Sequence, residues 1–279
     1  MSIDELPGLT TPETTAVMLA LSFEMGMPIH FVAPAFGFQK NIPYPDNEKL
    51  REMITPIWNI CEKFGVSIGF HSGSGKSAEN YQVAGQVTGS NLEIKTSGRY
   101  TYEMGVALSK SSDPYDQDLW KDWYNFTIDL ASNGCFAEDE TERKMAREFV
   151  SLTLDEESSK KAFSSIEDCR TILQSLEPSP DHFFWFEYNF LYVLAAGGSA
   201  EKNSLGDHSS EGYKQRKRFY SISEQGKLLY SKRVSEYIIF LAHNTGLVSS
   251  GICVDALSEL ETFSEYSDFV GSISNCHRD

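Results

Sequence analysis

The sequence predicts an α/β protein with a parallel sheet, and three observations support this. Ile29–Phe36, Val66–Phe70 and Asn91–Thr96 are short, largely apolar segments, as expected for strands that are buried on both faces. They alternate with helical segments in steps of roughly 25–35 residues, which is typical of βαβ units. The chain has 279 residues, which suits either two domains or a single (β/α) barrel.

The helices of this alternation carry ordinary start and stop signals. Thr14–Met27 is apolar and precedes the first strand. Asp46 is a suitable N-cap for the second helix, Pro56 should kink that helix, and Gly65 stands where a left-handed C-terminal residue belongs. Two further helices are expected over Ser77–Val87 and Arg99–Ser109.

After about residue 110 the alternation ends. We therefore predict a βα-repeat region over residues 1–115 and a helix-rich part of the same domain over residues 116–279. Gly197–Gly212 is a polar loop, the last long helix should break near Gly226, and Leu247–Val254 is either a strand or part of a terminal helix. The predicted helices are Asp116–Ser132, Glu138–Ser151, Ser165–Leu176, His182–Ala195 and Glu224–Asn244.

Composition excludes several classes of function. The formal net charge of −16 disfavours nucleic acid and anionic lipid as partners, and no apolar run is long enough to cross a bilayer. The N-terminus does not resemble a signal peptide. Five widely spaced cysteines without a CxxC motif argue against a disulfide framework or a zinc cluster. We expect a soluble protein of the reducing cytoplasm.

Polar side chains follow the predicted strands, at the sheet edge where α/β proteins place their sites. A histidine, several lysines and hydroxyl groups on neighbouring strand ends suit a polyhydroxylated anion. His71 can transfer a proton or bind a metal, and Lys95 can act as a base or an electrostatic clamp. The full set is Gln39 and Lys40, then His71, Ser72, Ser74 and Lys76, then Lys95, Thr96 and Ser97.

Each of these residues also has an ordinary structural interpretation. His71 could be a hydrogen-bonded structural histidine. Lys95 on an apolar strand should reach a partner or a cavity, because a lysine head in a core is costly. The segment Gly73–Ser77 resembles a phosphate-binding P-loop, but Phe70 stands where that motif needs glycine. A Gly/Ser turn at a helix N-terminus still favours an anion.

Additional candidate ligands lie in the C-terminal half. Glu187 sits within a dense aromatic run that otherwise indicates core, and such a carboxylate is a candidate acid or metal ligand. His208, next to Asp207, and His243 are further candidates. The basic stretch Tyr213–Arg218 is either a solvated face or a site that captures a carboxylate.

Three motifs resemble the tagaturonate epimerase family, a group of sugar-acid epimerases. They are Phe31-Val32-Ala33-Pro34 with Gly37-Phe38 and Lys40; Phe70-His71-Ser72-Gly73-Ser74 with Lys76; and Ile94-Lys95-Thr96 with Gly98. The resemblance covers residues 31–98. Gly75 and Ser97 depart from the family pattern, and the first motif lies near the N-terminus. We therefore expect a truncated or divergent member.

The resemblance implies a TIM-barrel-like fold, complete or partial, and metal-assisted epimerisation of a keto-hexuronate or a related sugar acid. It implies a divalent ion such as Zn²⁺ or Mn²⁺. By position, His71 and Lys95 would be catalytic. Lys40, Ser72, Ser74, Lys76 and Thr96 would bind substrate, and His71, Glu187 and His208 are the candidate metal ligands. The alternative is a non-catalytic partial barrel that binds carbohydrate or anions, and a homo-oligomer is one arrangement that would cover its sheet edges. A phosphotransferase ranks last.

Overall fold

The computed structural model describes residues 1–5, 8–39, 41–248 and 254–275. The chain forms two compact units. The first unit comprises Met1–Tyr100 with Val234–Ser258, and the second comprises Thr101–Arg233 with Glu259–Asp279. The predicted division at residue 115 rests on the end of the strand–helix alternation and remains a prediction. None of the helices in the described ranges is long and apolar enough to span a membrane.

The first unit contains a parallel sheet in the order β1-β2-β3, which confirms the predicted α/β class. The strands are β1 (Phe31–Val32), β2 (Ser67–Phe70) and β3 (Leu92–Ile94). Each is shorter than predicted, and Pro34 lies just beyond β1, as expected for a residue that cannot donate to a sheet. Three strands do not make a closed barrel, so the barrel itself remains a prediction.

The N-terminus adds a fourth parallel segment, which the sequence patterns did not indicate. Ser2 forms a parallel bridge with Ala33. The Ala33 N–H donates to the Met1 carbonyl over 2.8 Å, and the Ile3 N–H donates to the Ala33 carbonyl over 2.9 Å. These bonds place residues 1–3 alongside β1 and bring Asp4 to the carboxyl edge of the sheet.

The helices of the first unit follow the predicted signals closely. The backbone N–H groups of Glu48 and Lys49 each donate to the Asp46 side chain, and Gly65 ends the second helix with a φ of +66°. Pro56 lies within that helix, which continues through it. The helices are α1 (Pro12–Glu24), α2 (Asn47–Phe64), α3 (Ala78–Thr88) and α4 (Ser97–Lys110), of which α4 runs on into the second unit.

One face of the sheet forms the core of the first unit. Alternate strand residues point to this face and pack on apolar side chains of α2 and α3. The sheet contributes Val32, Ile68 and Phe70, and the helices contribute Leu50, Ile54, Ile57, Cys61, Val83 and Ala84. This packing fixes the strand ends, which carry the polar residues.

The second unit is helical. The predicted break near Gly226 is wrong: α11 runs from Glu224 through Asn244, and Gly226 instead lets the Asp116 carboxylate approach closely. The predicted loop after Gly197 contains two short 3-10 helices, and its end already belongs to α10. Residues 249–253, where the predicted strand or helix over Leu247–Val254 falls, lie outside the described residues. The remaining elements of the chain are α5 (Pro114–Gly134), α6 (Glu140–Ser151), α7 (Glu156–Ala162), α8 (Ile166–Gln174), α9 (Phe183–Tyr188), the 3-10 helices Asn189–Leu194, Ala196–Gly198 and Lys202–Ser204, then α10 (Ser210–Tyr220), α11 (Glu224–Asn244), α12 (Val254–Glu259) and α13 (Phe263–Asn275). Of these, α11 runs on into the first unit from Val234, and α12 belongs to the first unit up to Ser258.

Aromatic side chains fill the core of the second unit. Trp123, Phe184 and Trp185 are fully buried, and the Trp123 and Trp185 rings lie 5.1 Å apart. The Trp123 indole N–H donates to the Asn189 carbonyl over 2.8 Å, which satisfies its polar atom. The aromatic run is therefore core, as its density predicted.

Candidate functional site

A hydrogen-bonded acid–histidine pair lies at the carboxyl edge of the parallel sheet. His71 follows β2 directly, and its Nδ1 lies 3.0 Å from Asp4 Oδ2. The Ser2 hydroxyl donates to the other oxygen of Asp4. Both partners of the pair are largely buried, with side chains 16% and 23% exposed. Sequence reasoning found His71 and missed Asp4, whose position depends on the pairing of residues 1–3 with β1.

The environment of Asp4 favours its ionised form. Partial burial opposes ionisation, but the Ser2 hydrogen bond and the charge of the nearby His71 ring outweigh that effect, so the pKa of Asp4 lies below its ordinary value. A carboxylate at Nδ1 orients the imidazole. The other ring nitrogen, Nε2, is the one left for a ligand.

This pair borders a cleft of about 450 Å³. Ser72 also lines the cleft and holds a φ of +52°, which is unusual for a residue with a side chain. Such strain persists where the surrounding structure enforces it, as it often does at ligand sites. The cleft is lined by Asp4, Gly8, Leu9, Pro34, Ala35, Phe36, Gly37, Phe38, His71 and Ser72. Its mixture of backbone, apolar and ionisable groups suits a small polar molecule.

Lys76 ties together the two loops that follow β1 and β2. Its Nζ donates to the Gln39 carbonyl over 2.6 Å and to the Ser74 carbonyl over 3.3 Å. Lys76 is 6% exposed, and this burial lowers its pKa to about 8. Ser74 is also buried, at 3% exposed. Because its ammonium group is bound to carbonyls, Lys76 does not serve as a P-loop lysine here.

Two tyrosines, Tyr81 and Tyr237, form hydrogen bonds with the glycine-rich loop that follows β2. The Tyr81 hydroxyl donates to the Gly73 carbonyl over 2.8 Å and accepts the Lys76 backbone N–H over 3.1 Å. The Gly75 N–H donates to the Tyr237 hydroxyl over 3.3 Å. Burial, together with the neighbouring Tyr237, raises the pKa of Tyr81. The loop that presents His71 and Ser72 is thus fixed by bonds to the helices beneath it.

Lys95 directly follows β3, the strand next to the one that His71 follows, and its side chain is exposed. Its backbone N–H donates to the Phe70 carbonyl over 3.2 Å, beside the end of β2. Because β3 ends at Ile94, the Lys95 head lies outside the core and is not desolvated. The Thr96 carbonyl accepts hydrogen bonds from the backbone N–H groups of Arg99 and Tyr100 at the start of α4. Lys40 lies outside the described residues.

The candidate metal ligands are divided between the two units. His71 belongs to the first unit, whereas Glu187 is half-buried on α9 and His208 is exposed before α10, both in the second. His243, on α11 in the first unit, is exposed. Among the described residues, no three histidine, cysteine or acidic side chains are grouped so that they could hold a metal. His71 and Asp4 provide two donors only.

The basic stretch after Tyr213 forms part of α10. Arg218 donates to Asp122 Oδ2 over 2.7 Å and to the Tyr192 hydroxyl over 2.6 Å, while Lys214 pairs with Glu211 on its own helix. These contacts fit the solvated helix face better than a carboxylate-capturing site.

A parallel sheet with a histidine–carboxylate pair at its carboxyl edge defines an α/β protein whose candidate site lies at the strand ends. The sequence profile of the tagaturonate epimerase family, UxaE, matches residues 1–161. This match covers more than half of the chain, so the chain belongs to the tagaturonate epimerase family.

Two solved structures share this fold. Both are of the fructuronate-tagaturonate epimerase UxaE from Cohnella laeviribosi. The native structure is 18% identical with a TM-score of 0.53, and a glycerol complex is 16% identical with a TM-score of 0.52. In each case the match covers 88% of this chain and 44% of the other, so the chain spans less than half the length of the solved enzyme. No curated protein matches the chain significantly.

Proposed function

We propose that this chain serves epimerisation of a keto-hexuronate in the cytoplasm, with His71 as the group that exchanges a proton with the substrate. The observation that supports this most directly is the 3.0 Å contact between His71 and Asp4 at the edge of a cleft. Membership of the tagaturonate epimerase family supports the substrate class. Inversion at a carbinol carbon needs a proton-transfer group beside the sugar, and a histidine held by a carboxylate suits that task.

In this proposal Asp4 positions the His71 ring through the hydrogen bond at Nδ1. The Ser72 hydroxyl, which belongs to the cleft lining, binds a sugar hydroxyl. Lys95, exposed beside the end of β2, and Lys40 attract the substrate carboxylate. Thr96 supports the turn into α4. Ser74 and Lys76 are buried, so we assign them to shaping the loop rather than to substrate contact.

Whether turnover depends on a divalent metal ion is a separate question, which the proposal leaves to experiment. Because the described residues supply two adjacent donors rather than three, we assign no step to a metal. Metal analysis of the purified chain, and thermal unfolding with Zn²⁺ or Mn²⁺ added, would measure the dependence. Binding of a divalent ion would raise the melting temperature.

The test is interconversion of tagaturonate and fructuronate, followed by NMR. We expect turnover by the wild type, and loss of turnover in His71→Ala with an unchanged circular dichroism spectrum. His30→Ala is the matched control, because His30 is exposed in the same unit. Equal turnover by His71→Ala and wild type would refute the role of His71, and an inactive wild type would refute the enzyme.

A second candidate is a non-catalytic module that binds a sugar acid. The cleft that Asp4, His71 and Ser72 line favours it, because these groups can bind a sugar acid without a chemical step. It predicts calorimetric binding of tagaturonate, weakened in His71→Ala, without interconversion. Turnover would exclude this candidate.

A further inference from the structure

The face of the sheet that does not pack on α2 and α3 holds a second carboxylate, that of Glu93. A Cβ added to Gly69 would lie 2.8 Å from Glu93 Oε2 and 3.1 Å from the Ala33 Cβ, so these side chains share one face. The neighbours of Glu93 on β3, Leu92 and Ile94, pack instead on the apolar core. Because side chains alternate along a strand, Glu93 points to the side opposite that core.

The lack of a side chain at Gly69 gives the Glu93 carboxylate its place. Gly69 lies directly opposite Glu93 in the pairing of β2 with β3. The backbone of Gly69 is not in the left-handed conformation that would by itself require glycine. A glycine inside a strand then marks a close approach, here that of the carboxylate, which a larger residue would displace.

One oxygen of this carboxylate has no hydrogen-bond partner. Glu93 Oε2 is buried and unpartnered among the described residues, although the side chain as a whole is half-buried. A desolvated oxygen without a partner lowers stability, so packing alone would favour an apolar residue at this position. A polar group kept at such a cost is typical of a place where the group meets a ligand.

Glu93 and His71 lie close together on this face. His71 stands two residues beyond Gly69 in the sequence, and its Nδ1 lies 3.5 Å from the Ser2 hydroxyl. Ser2 pairs with Ala33, whose side chain shares the face with Glu93. Two residues span about 6.6 Å along a strand and neighbouring strands lie about 4.8 Å apart, which separates the Cα atoms of Glu93 and His71 by about 8 Å. The two side chains can therefore reach one small molecule from different directions.

We propose that Glu93 is a second proton-transfer group, acting on the face of the substrate carbon opposite to His71. This inference rests on the proposed function. At a carbinol carbon next to the keto group, one residue removes the C–H proton, and the electron pair moves onto the keto oxygen as an enediolate. The other residue then donates a proton to the opposite face, which restores the keto group and inverts the carbon. One proton leaves and one is added, and exchange with water resets both residues.

The first test is deuterium uptake by tagaturonate and by fructuronate, each incubated separately with the protein in heavy water and followed by NMR. The wild type should interconvert the two sugars and label both. Glu93→Gln should lower interconversion at least about a hundredfold, while His71 still labels one of the two epimers. His71→Ala should give the reverse pattern, in which only the other epimer is labelled.

Glu52→Gln is the matched control, because Glu52 is an exposed glutamate on α2 in the same unit, and it should behave as the wild type does. Wild-type interconversion by Glu93→Gln, loss of labelling of both epimers in that variant, or labelling of the same epimer by both site variants would overturn the role of Glu93. In those cases an active wild type would leave the proposed function standing. A wild type that neither interconverts nor labels the sugars would overturn both.

The second test separates proton transfer from a structural role. Glu93→Leu should abolish interconversion and yet keep or raise the free energy of unfolding in urea, because it removes the unpartnered oxygen. Gly69→Ala should lower turnover at least tenfold, since the added Cβ displaces the Glu93 carboxylate. A large loss of stability in Glu93→Leu, or full turnover by Gly69→Ala, would contradict the proposal.

Discussion

Replacing Lys76 by methionine should remove a pH dependence of stability that the buried ammonium group creates. Lys76 has a pKa of about 8 in the folded chain against 10.5 for an ordinary lysine, because burial disfavours its charge. Between these two values the unfolded chain holds a proton that the folded chain has released. Stability contributed by this group therefore rises with pH across the window from about 8 to 10.5.

The magnitude follows from the shift. The full difference corresponds to roughly 3 kcal/mol, of which about 2 kcal/mol falls between pH 7 and pH 9.5. The carbonyl acceptors Gln39 and Ser74 favour the charged form and oppose the shift, so these figures are upper limits. The Lys76→Met variant lacks the titrating group and should not show this rise.

The assay is urea unfolding of the wild type and Lys76→Met at several pH values from 7 to 9.5. Because other groups titrate equally in both proteins, the difference between their unfolding free energies isolates Lys76. Lys63→Met is the control, since Lys63 is exposed at the end of α2. A difference that stays flat, or that falls as pH rises, would refute the reasoning.

Three further outcomes are expected. Asp4→Asn should lower turnover at least tenfold, because His71 loses its ionised partner, and unchanged turnover in NMR assays would contradict this. Gly75→Ala should lower the free energy of unfolding in urea more than Gly65→Ala does. Both glycines have a positive φ, but only at Gly75 would the new Cβ collide with a neighbour, the Asn41 side chain 2.3 Å away. Equal losses would argue against that collision. Leu119→Ala should cost about 2–5 kcal/mol in the same assay, against less than about 0.5 kcal/mol for the exposed Leu152→Ala, and a small loss at Leu119 would show that the core relaxes around it.

Helix boundaries of the first unit could be predicted because their signals are local. Asp46 caps α2, Gly65 ends it, and Ser77 forms a capping box with Asn80, all within a few residues of sequence. The parallel arrangement of the strands could also be predicted, because helices separate them. Gly226 was misjudged since a glycine near a helix start can serve a close packing contact as well as a break.

Of the two residues in the hydrogen-bonded pair at the candidate site, only His71 could be predicted from the sequence. The position of His71 follows from the strand that precedes it, whereas Asp4 reaches it through a segment too short to show a strand pattern. Lys95 was predicted to lie on a strand and to reach a partner or a cavity, but β3 ends at Ile94 and Lys95 is exposed just beyond it. The burial of Lys76 depends on a carbonyl 37 residues away in sequence, which no local pattern reveals.

Local sequence patterns were enough to predict the alternation of strands and helices, the residues at the strand ends and the resemblance to tagaturonate epimerases. These depend on periodicity and short motifs, which are properties of neighbouring residues. Only the tertiary structure decided that Asp4 pairs with His71, that Lys76 ties two loops, and that Glu187 and His208 belong to a different unit from His71. Such contacts depend on how distant segments pack, and the energy that selects one packing is shared among many residues.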